Sequence, residues 1–199
     1  NDIRYYMYLI LYAMDGCHSR GVMHRDIKPM NVLIDPKTKE ISIIDWGLAD
    51  LYYPMKQYSC KVSTMRYKAP ELLIGYHFYD YGVDIWGIGC ILAEMLFGHD
   101  FITGLVYEEV LESIAKIWSK KPILDFSEKY GIEILPSFMQ KIDHCNSSGW
   151  DIWINMLKPE LRNNDMIDLL KKLLEVDLGE RITAREALSH PFFRPLFDQ

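Results

Sequence analysis

The sequence has few cysteines, no long apolar run and no excess of positive charge, and each shortage removes a class of protein. Its four cysteines, Cys17, Cys60, Cys90 and Cys145, lie far apart, with neither the close pairing of a zinc site nor the density of a disulfide scaffold. A reducing compartment fits that usage. The longest apolar stretch, Ile85 to Ala93, is nine residues bounded by Asp84 and Glu94, far short of a membrane span, and reads as a buried helix. With 22 Lys and Arg against 28 Asp and Glu, the net charge of −6 argues against a general partner for nucleic acid or an anionic membrane. The six histidines form no ligand cluster, so no zinc is expected. No repeat, low-complexity tract or domain linker appears. The chain opens on Asn1-Asp2 rather than Met and shows no signal core, which sets the expectation of no targeting segment and of a natural N-terminus further upstream.

What is present is enough apolar surface for one substantial core: 49% of the 199 residues are hydrophobic and 13% aromatic. Ile3, Met7, Ile10, Met14 and Cys17 recur at helical spacing, with Asn1 or Asp2 available as cap and Gly21 to end the helix. Val32 to Ile34 and Ile41 to Ile44 are short β-branched runs around Asp35-Pro36-Lys37-Thr38-Lys39, the pattern of a small hairpin. After a polar loop to about Glu71, helical patterns cover Tyr81 to Phe97, Tyr107 to Trp118 and Asp165 to Val176. Thr183-Ala184-Arg185-Glu186 has capping-box spacing, and His190-Pro191 closes that helix. Trp86, Phe97, Trp118, Trp150 and Trp153 read as packing residues rather than a base-stacking platform. The expected architecture is mainly α with one small β-hairpin.

Three strings carry chemistry: Val22-Met23-His24-Arg25-Asp26-Ile27-Lys28-Pro29-Met30-Asn31, then Ile44-Asp45-Trp46-Gly47, then Ala69-Pro70-Glu71. Singly, Asp26, Asn31 and Asp45 are the turn and cap residues that isolated Asp and Asn usually are. Asn31 follows Asp26 by five residues and Asp45 follows it by nineteen, and that order and spacing resemble the protein-kinase set. Phosphoryl transfer needs a carboxylate at the attacking hydroxyl, hard oxygen ligands for Mg²⁺ bridging the ATP phosphates, and positive charge on the moving group. The resemblance assigns Asp26 as base, Lys28 as the γ-phosphate cation, and Asn31 and Asp45 as ligands of Mg²⁺ and hence of ATP. Gly47 would let the backbone turn sharply after Asp45. Thr64 occupies the position whose hydroxyl bonds the base and the lysine. Glu71 would pair with Arg181, and Asp84 would hold the catalytic-loop backbone. His24 and Arg25 would be structural. Lys28 in Asp-x-Lys-Pro-x-Asn resembles serine/threonine rather than tyrosine kinases.

The chain further resembles the catalytic subunit of the casein kinase 2 family. Asp45-Trp46-Gly47 followed by Leu48-Ala49-Asp50, Asp2 to Tyr8, Tyr79-Asp80-Tyr81, Lys129 to Ile134 and Arg181 to Ala187 carry that likeness over nearly the whole chain. It implies a C-terminal kinase lobe spanning residues 1–199, localisation in cytoplasm and nucleus, protein substrates with acidic motifs, and a regulatory β subunit that docks on the N-terminal lobe. Basic residues at the positions of Lys61 and Lys68, together with Arg66, would bind the acidic side chains. Lys61 also stands where mitogen-activated kinases carry a phosphotyrosine, which implies activity without activating phosphorylation. Met65 departs from the related group, whose usual string is Thr-Arg-Trp-Tyr-Arg, and the stretches His99 to Val106 and His144 to Trp153 also differ. The 199 residues themselves include no glycine-rich loop and no strand lysine of the Val-Ala-Ile-Lys kind. The expectation is therefore part of an active kinase that is inactive alone, with a truncated pseudokinase or scaffold module as the alternative.

Overall fold

The computed structural model describes residues 2–98, 101–145 and 149–198. Asn1, one of two candidate caps for the first helix, lies outside them. The fold is mainly helical, as the pattern predicts. Helix α1 (Asp2–His18) buries Met7, Ile10, Leu11 and Met14, the inner part of the stripe seen in the sequence. Strands β2 (Val32–Asp35) and β3 (Glu40–Ile43) pair antiparallel with Val32 opposite Ile43 and Asp35 opposite Glu40, forming the expected hairpin. A second ladder joins β1 (Val22–Met23) to β4 (Asp50–Leu51), and it brackets the catalytic-loop and Asp45 strings between its strands. Two-residue strands are too short to leave a period in the sequence.

The core is organised on α3 (Gly82–Phe97), which follows the short helix α2 (Pro70–Leu73). Twelve of its sixteen residues are buried, so it is apolar all round, as expected of a helix enclosed on every side. Helix α1 and α8 (Asn164–Leu173) pack against it, the latter through Met166, Leu169, Leu170 and Leu173. Gly87 faces the catalytic loop: a Cβ there would meet the Ile27 carbonyl oxygen at 2.6 Å, so this close approach of helix to loop needs a glycine.

The remaining helices form the outer layer: α4 (Tyr107–Trp118), α5 (Lys121–Tyr130), α6 (Pro136–Ile142), α7 (Trp150–Met156) and α9 (Ala184–Leu188). The Thr183–Glu186 capping box of α9 is formed in both directions. The aromatic residues pack as a cluster, with Trp118 against Trp150 at 4.9 Å, Trp86 against Trp118 at 5.5 Å and Phe97 against Trp153 at 5.4 Å between ring centroids. All four cysteines are free thiols. Among the described residues no helix is long and apolar enough to cross a membrane.

Candidate active site

The loop after β1 is fixed from below by α3. Asp84, fully buried, accepts the backbone N–H of His24 at 2.9 Å and that of Arg25 at 2.7 Å, and shares its second oxygen with His18 Nε2 at 2.9 Å. A buried carboxylate is costly unless its lone pairs are occupied, and here three donors occupy them. His24 accepts the Asp26 N–H at Nδ1 and donates Nε2–H to the Ile44 carbonyl, so its ring links the two polar strings as a neutral tautomer. Trp46 lies edge-on to that ring at 4.6 Å.

Asp26 stands above this frame. Lys28 Nζ donates to its Oδ2 at 2.7 Å, while the Thr64 amide and hydroxyl both donate to Oδ1 at 2.8 Å. The Thr64 hydroxyl also accepts from Lys28 Nζ at 2.7 Å, closing a three-residue ring of charge-assisted bonds. Burial pushes the Asp26 carboxyl up, but Lys28 and the two Thr64 donors outweigh it and hold the group below the usual carboxylate range. Asn31 donates its amide to the Asp26 carbonyl at 2.8 Å and to Oδ2 at 3.2 Å, which turns the Asn31 side-chain oxygen away from that pair. The structure therefore brings Asp26, Lys28, Asn31 and Thr64 together from segments 38 residues apart.

Asp45 is different. The Ile44 N–H bonds the Asn31 carbonyl at 2.9 Å, which sets Asp45 one residue from Asn31 across the ladder. Its carboxylate is exposed, with no ion pair or hydrogen-bond partner among the described residues. Its backbone is left-handed, φ 63° and ψ 64°. This corrects the role expected of Gly47: the turn is taken by Asp45 itself, and Gly47 sits in a 3₁₀ turn (Trp46–Leu48) outside the positive-φ region. Arg25 (φ 66°) and Ser63 (φ 67°) are also left-handed, so three strained residues flank one site, a clustering that goes with function. That local strain carries no signal in the sequence.

No group of three His, Cys, Asp or Glu side chains that could hold a metal occurs among the described residues. Mg²⁺ bound with a nucleotide needs only one or two protein oxygens, the rest coming from phosphate and water. The exposed Asp45 carboxylate and the Asn31 oxygen fit that demand.

The family model for the protein kinase domain matches residues 1–193. The chain belongs to the protein kinase family. Its kinase scaffold is tied together by Glu71 and Arg181, both side chains wholly buried, through two bonds of 2.7 and 2.9 Å. Arg181 donates further to the carbonyls of Glu175, Val176 and Gly82, so all its donors face acceptors. Arg25 Nε donates to the Leu48 carbonyl at 2.6 Å, and its guanidinium lies 3.4 Å from Asp50.

The three basic residues expected to face an acidic peptide separate. Lys61 is exposed and Arg66 half-buried, and neither forms an ion pair among the described residues. Lys68 is 2% exposed; its ammonium donates to the Cys60 carbonyl at 2.9 Å and to that of Val62, over the Tyr107 ring. This corrects the expectation for Lys68. Its charge is committed to the carbonyls of the loop it holds, and burial lowers its pKa despite Cys60 and Asp26 nearby. Sequence reveals a lysine but not which carbonyls need a donor.

Proposed function

We propose that this kinase transfers the γ-phosphate of ATP to serine or threonine hydroxyls in acidic sequence contexts, in the manner of the casein kinase 2 family. The carrying observation is the Asp26–Lys28–Thr64 ring, in which one oxygen of Asp26 is turned toward Thr64 and the other toward Lys28. Held ionised, Asp26 accepts the proton of the attacking hydroxyl, a role worth roughly 10²–10⁴-fold in rate. Lys28, beside it, presents positive charge to the transferring phosphoryl group. Asn31 and Asp45 would hold Mg²⁺, which when bound neutralises charge on the phosphates. The Lys28–Thr64 bond supports the serine/threonine reading, since both residues belong to that subclass pattern.

Arg25, satisfied by Leu48 and Asp50 within the protein, has no need of a phosphate on the loop to anchor it. That supports activity without an activating phosphorylation.

Acidic specificity rests on Lys61 and Arg66. Each pair at or near the surface contributes about 0–1 kcal/mol, so the two together give a preference of at most about thirtyfold. The test compares kcat/KM for a peptide carrying Asp or Glu one to three residues after the serine with its Ala twin, in wild type and Lys61→Glu/Arg66→Glu. The preference is expected to collapse in the double variant. Equal rates for both peptides in the wild type would remove the acidic reading.

A further inference from the structure

A cavity of about 360 Å³, lined by none of the candidate catalytic residues, lies between the C-terminal end of α1, the start of α3 and the segment leading into α9. Its volume falls within the range of small-molecule sites. The walls are mostly apolar, from Ile85, Leu178 and Ile182, with the rings of His18 and Tyr81, 4.8 Å apart and tilted by 32°, on one side.

The charges around it are unevenly matched. Arg181 is committed to Glu71 and three carbonyls, Arg185 pairs with Asp15 at 2.8 Å, and His18 bonds Asp84. Asp80 is the carboxylate left over: it accepts the Gly82 N–H at 2.8 Å and has no ion pair among the described residues. Burial pushes its carboxyl up, helped by the Glu71 carboxylate and against the pull of the Gly82 amide, Arg181 and His18. Asp80 is thus a half-buried carboxylate with no ion pair of its own, since the nearby Arg181 and His18 are bonded elsewhere, and with the apolar walls and two rings it is complementary to a compact organic cation with a flat apolar body.

We infer that this cavity is a binding site for a small aromatic or amidinium-type cation, whose charge pairs with Asp80 and whose body lies against His18 and Tyr81. The site is wired to the catalytic loop by a short chain of bonds. His18 Nε2 holds Asp84, and Asp84 holds the backbone amides of His24 and Arg25, immediately before Asp26. An occupant that immobilises His18 thereby stiffens the peptide that aims the candidate base.

The probe is benzamidinium, with neutral benzamide as its uncharged isostere, titrated into the protein by NMR and calorimetry. Saturable one-to-one binding is expected, about tenfold weaker for benzamide. Asp80→Asn, which keeps an acceptor for Gly82, is expected to weaken benzamidinium about tenfold and leave benzamide unchanged. Ser19→Trp, at the exposed mouth of the cavity, is expected to abolish both. Amide exchange at His24 and Arg25 is expected to slow several-fold in the bound protein. No saturable binding, or affinities unchanged by both substitutions, would overturn the site; unchanged exchange at His24 and Arg25 with the ligand bound would overturn its coupling to the loop.

Discussion

Asp26 and Asp45, nineteen residues apart, are held in opposite ways. Asp26 is 5% exposed and receives bonds from Lys28, Asn31, the Thr64 amide and the Thr64 hydroxyl. Asp45 is exposed, left-handed and without a partner among the described residues. The difference teaches that the protein itself completes the environment of the group assigned to the proton. It leaves open the coordination of the group assigned to the metal. A base needs a fixed direction and a fixed charge state in every complex. A metal ligand needs vacant lone pairs until nucleotide and ion arrive.

If that contrast holds, the largest effect belongs to Asp45. In an ATP-competent form of the kinase, Asp45→Asn is expected to abolish Mg²⁺-dependent turnover, while its unfolding free energy stays within about 0.5 kcal/mol of wild type, as for an exposed side chain without contacts. A loss of several kcal/mol on denaturant unfolding would show that Asp45 is structural after all.

The frame beneath the site behaves in the reverse manner. Arg181→Ala leaves the Glu71 carboxylate buried and unpaired and is expected to cost about 3–5 kcal/mol on chemical denaturation. A change below about 1 kcal/mol would mean that water replaces the guanidinium.

The smallest effect concerns pH. The folded Asp26 carboxyl titrates below its ordinary value, so the unfolded chain binds the proton more readily. The Lys28–Thr64 ring therefore contributes stability fully present above about pH 4 and lost as pH falls through the lowered native value. Melting temperature between about pH 5 and pH 2 is expected to fall less steeply in Asp26→Asn than in wild type. Parallel curves would show that other carboxylates set the acid limb.

Much of this was legible in the sequence, for physical reasons that differ by element. The stripe Met7-Ile10-Met14 and the Thr183–Glu186 box are local signals, and α1 and α9 follow them closely. The hairpin was legible from two β-branched runs around a turn. Helices α5 and α6 were not, although Pro122 and Pro136 stand at their first turns, because their apolar stripes are short: Ile123 with Phe126, and Phe138 with Ile142. At the site, spacing brought out Asp26, Asn31 and Asp45, since the motif is local in the chain. The fate of Lys68 and the positive φ of Asp45 depend on which carbonyls and ladders meet in three dimensions. Gly87, required by the Ile27 carbonyl, belongs with them: in the sequence it was one more small residue in an apolar helix.

The central claim is that Asp26 moves the proton while Asn31 and Asp45 serve the metal and nucleotide. Its most direct test is kcat and nucleotide affinity, each measured across a Mg²⁺ titration, for wild type and Asp26→Asn in an ATP-competent form of the kinase. The account predicts a fall in kcat of roughly 10²–10⁴-fold, with nucleotide affinity and its Mg²⁺ dependence unchanged. Wild-type turnover in Asp26→Asn, or a loss confined to nucleotide affinity, would contradict it.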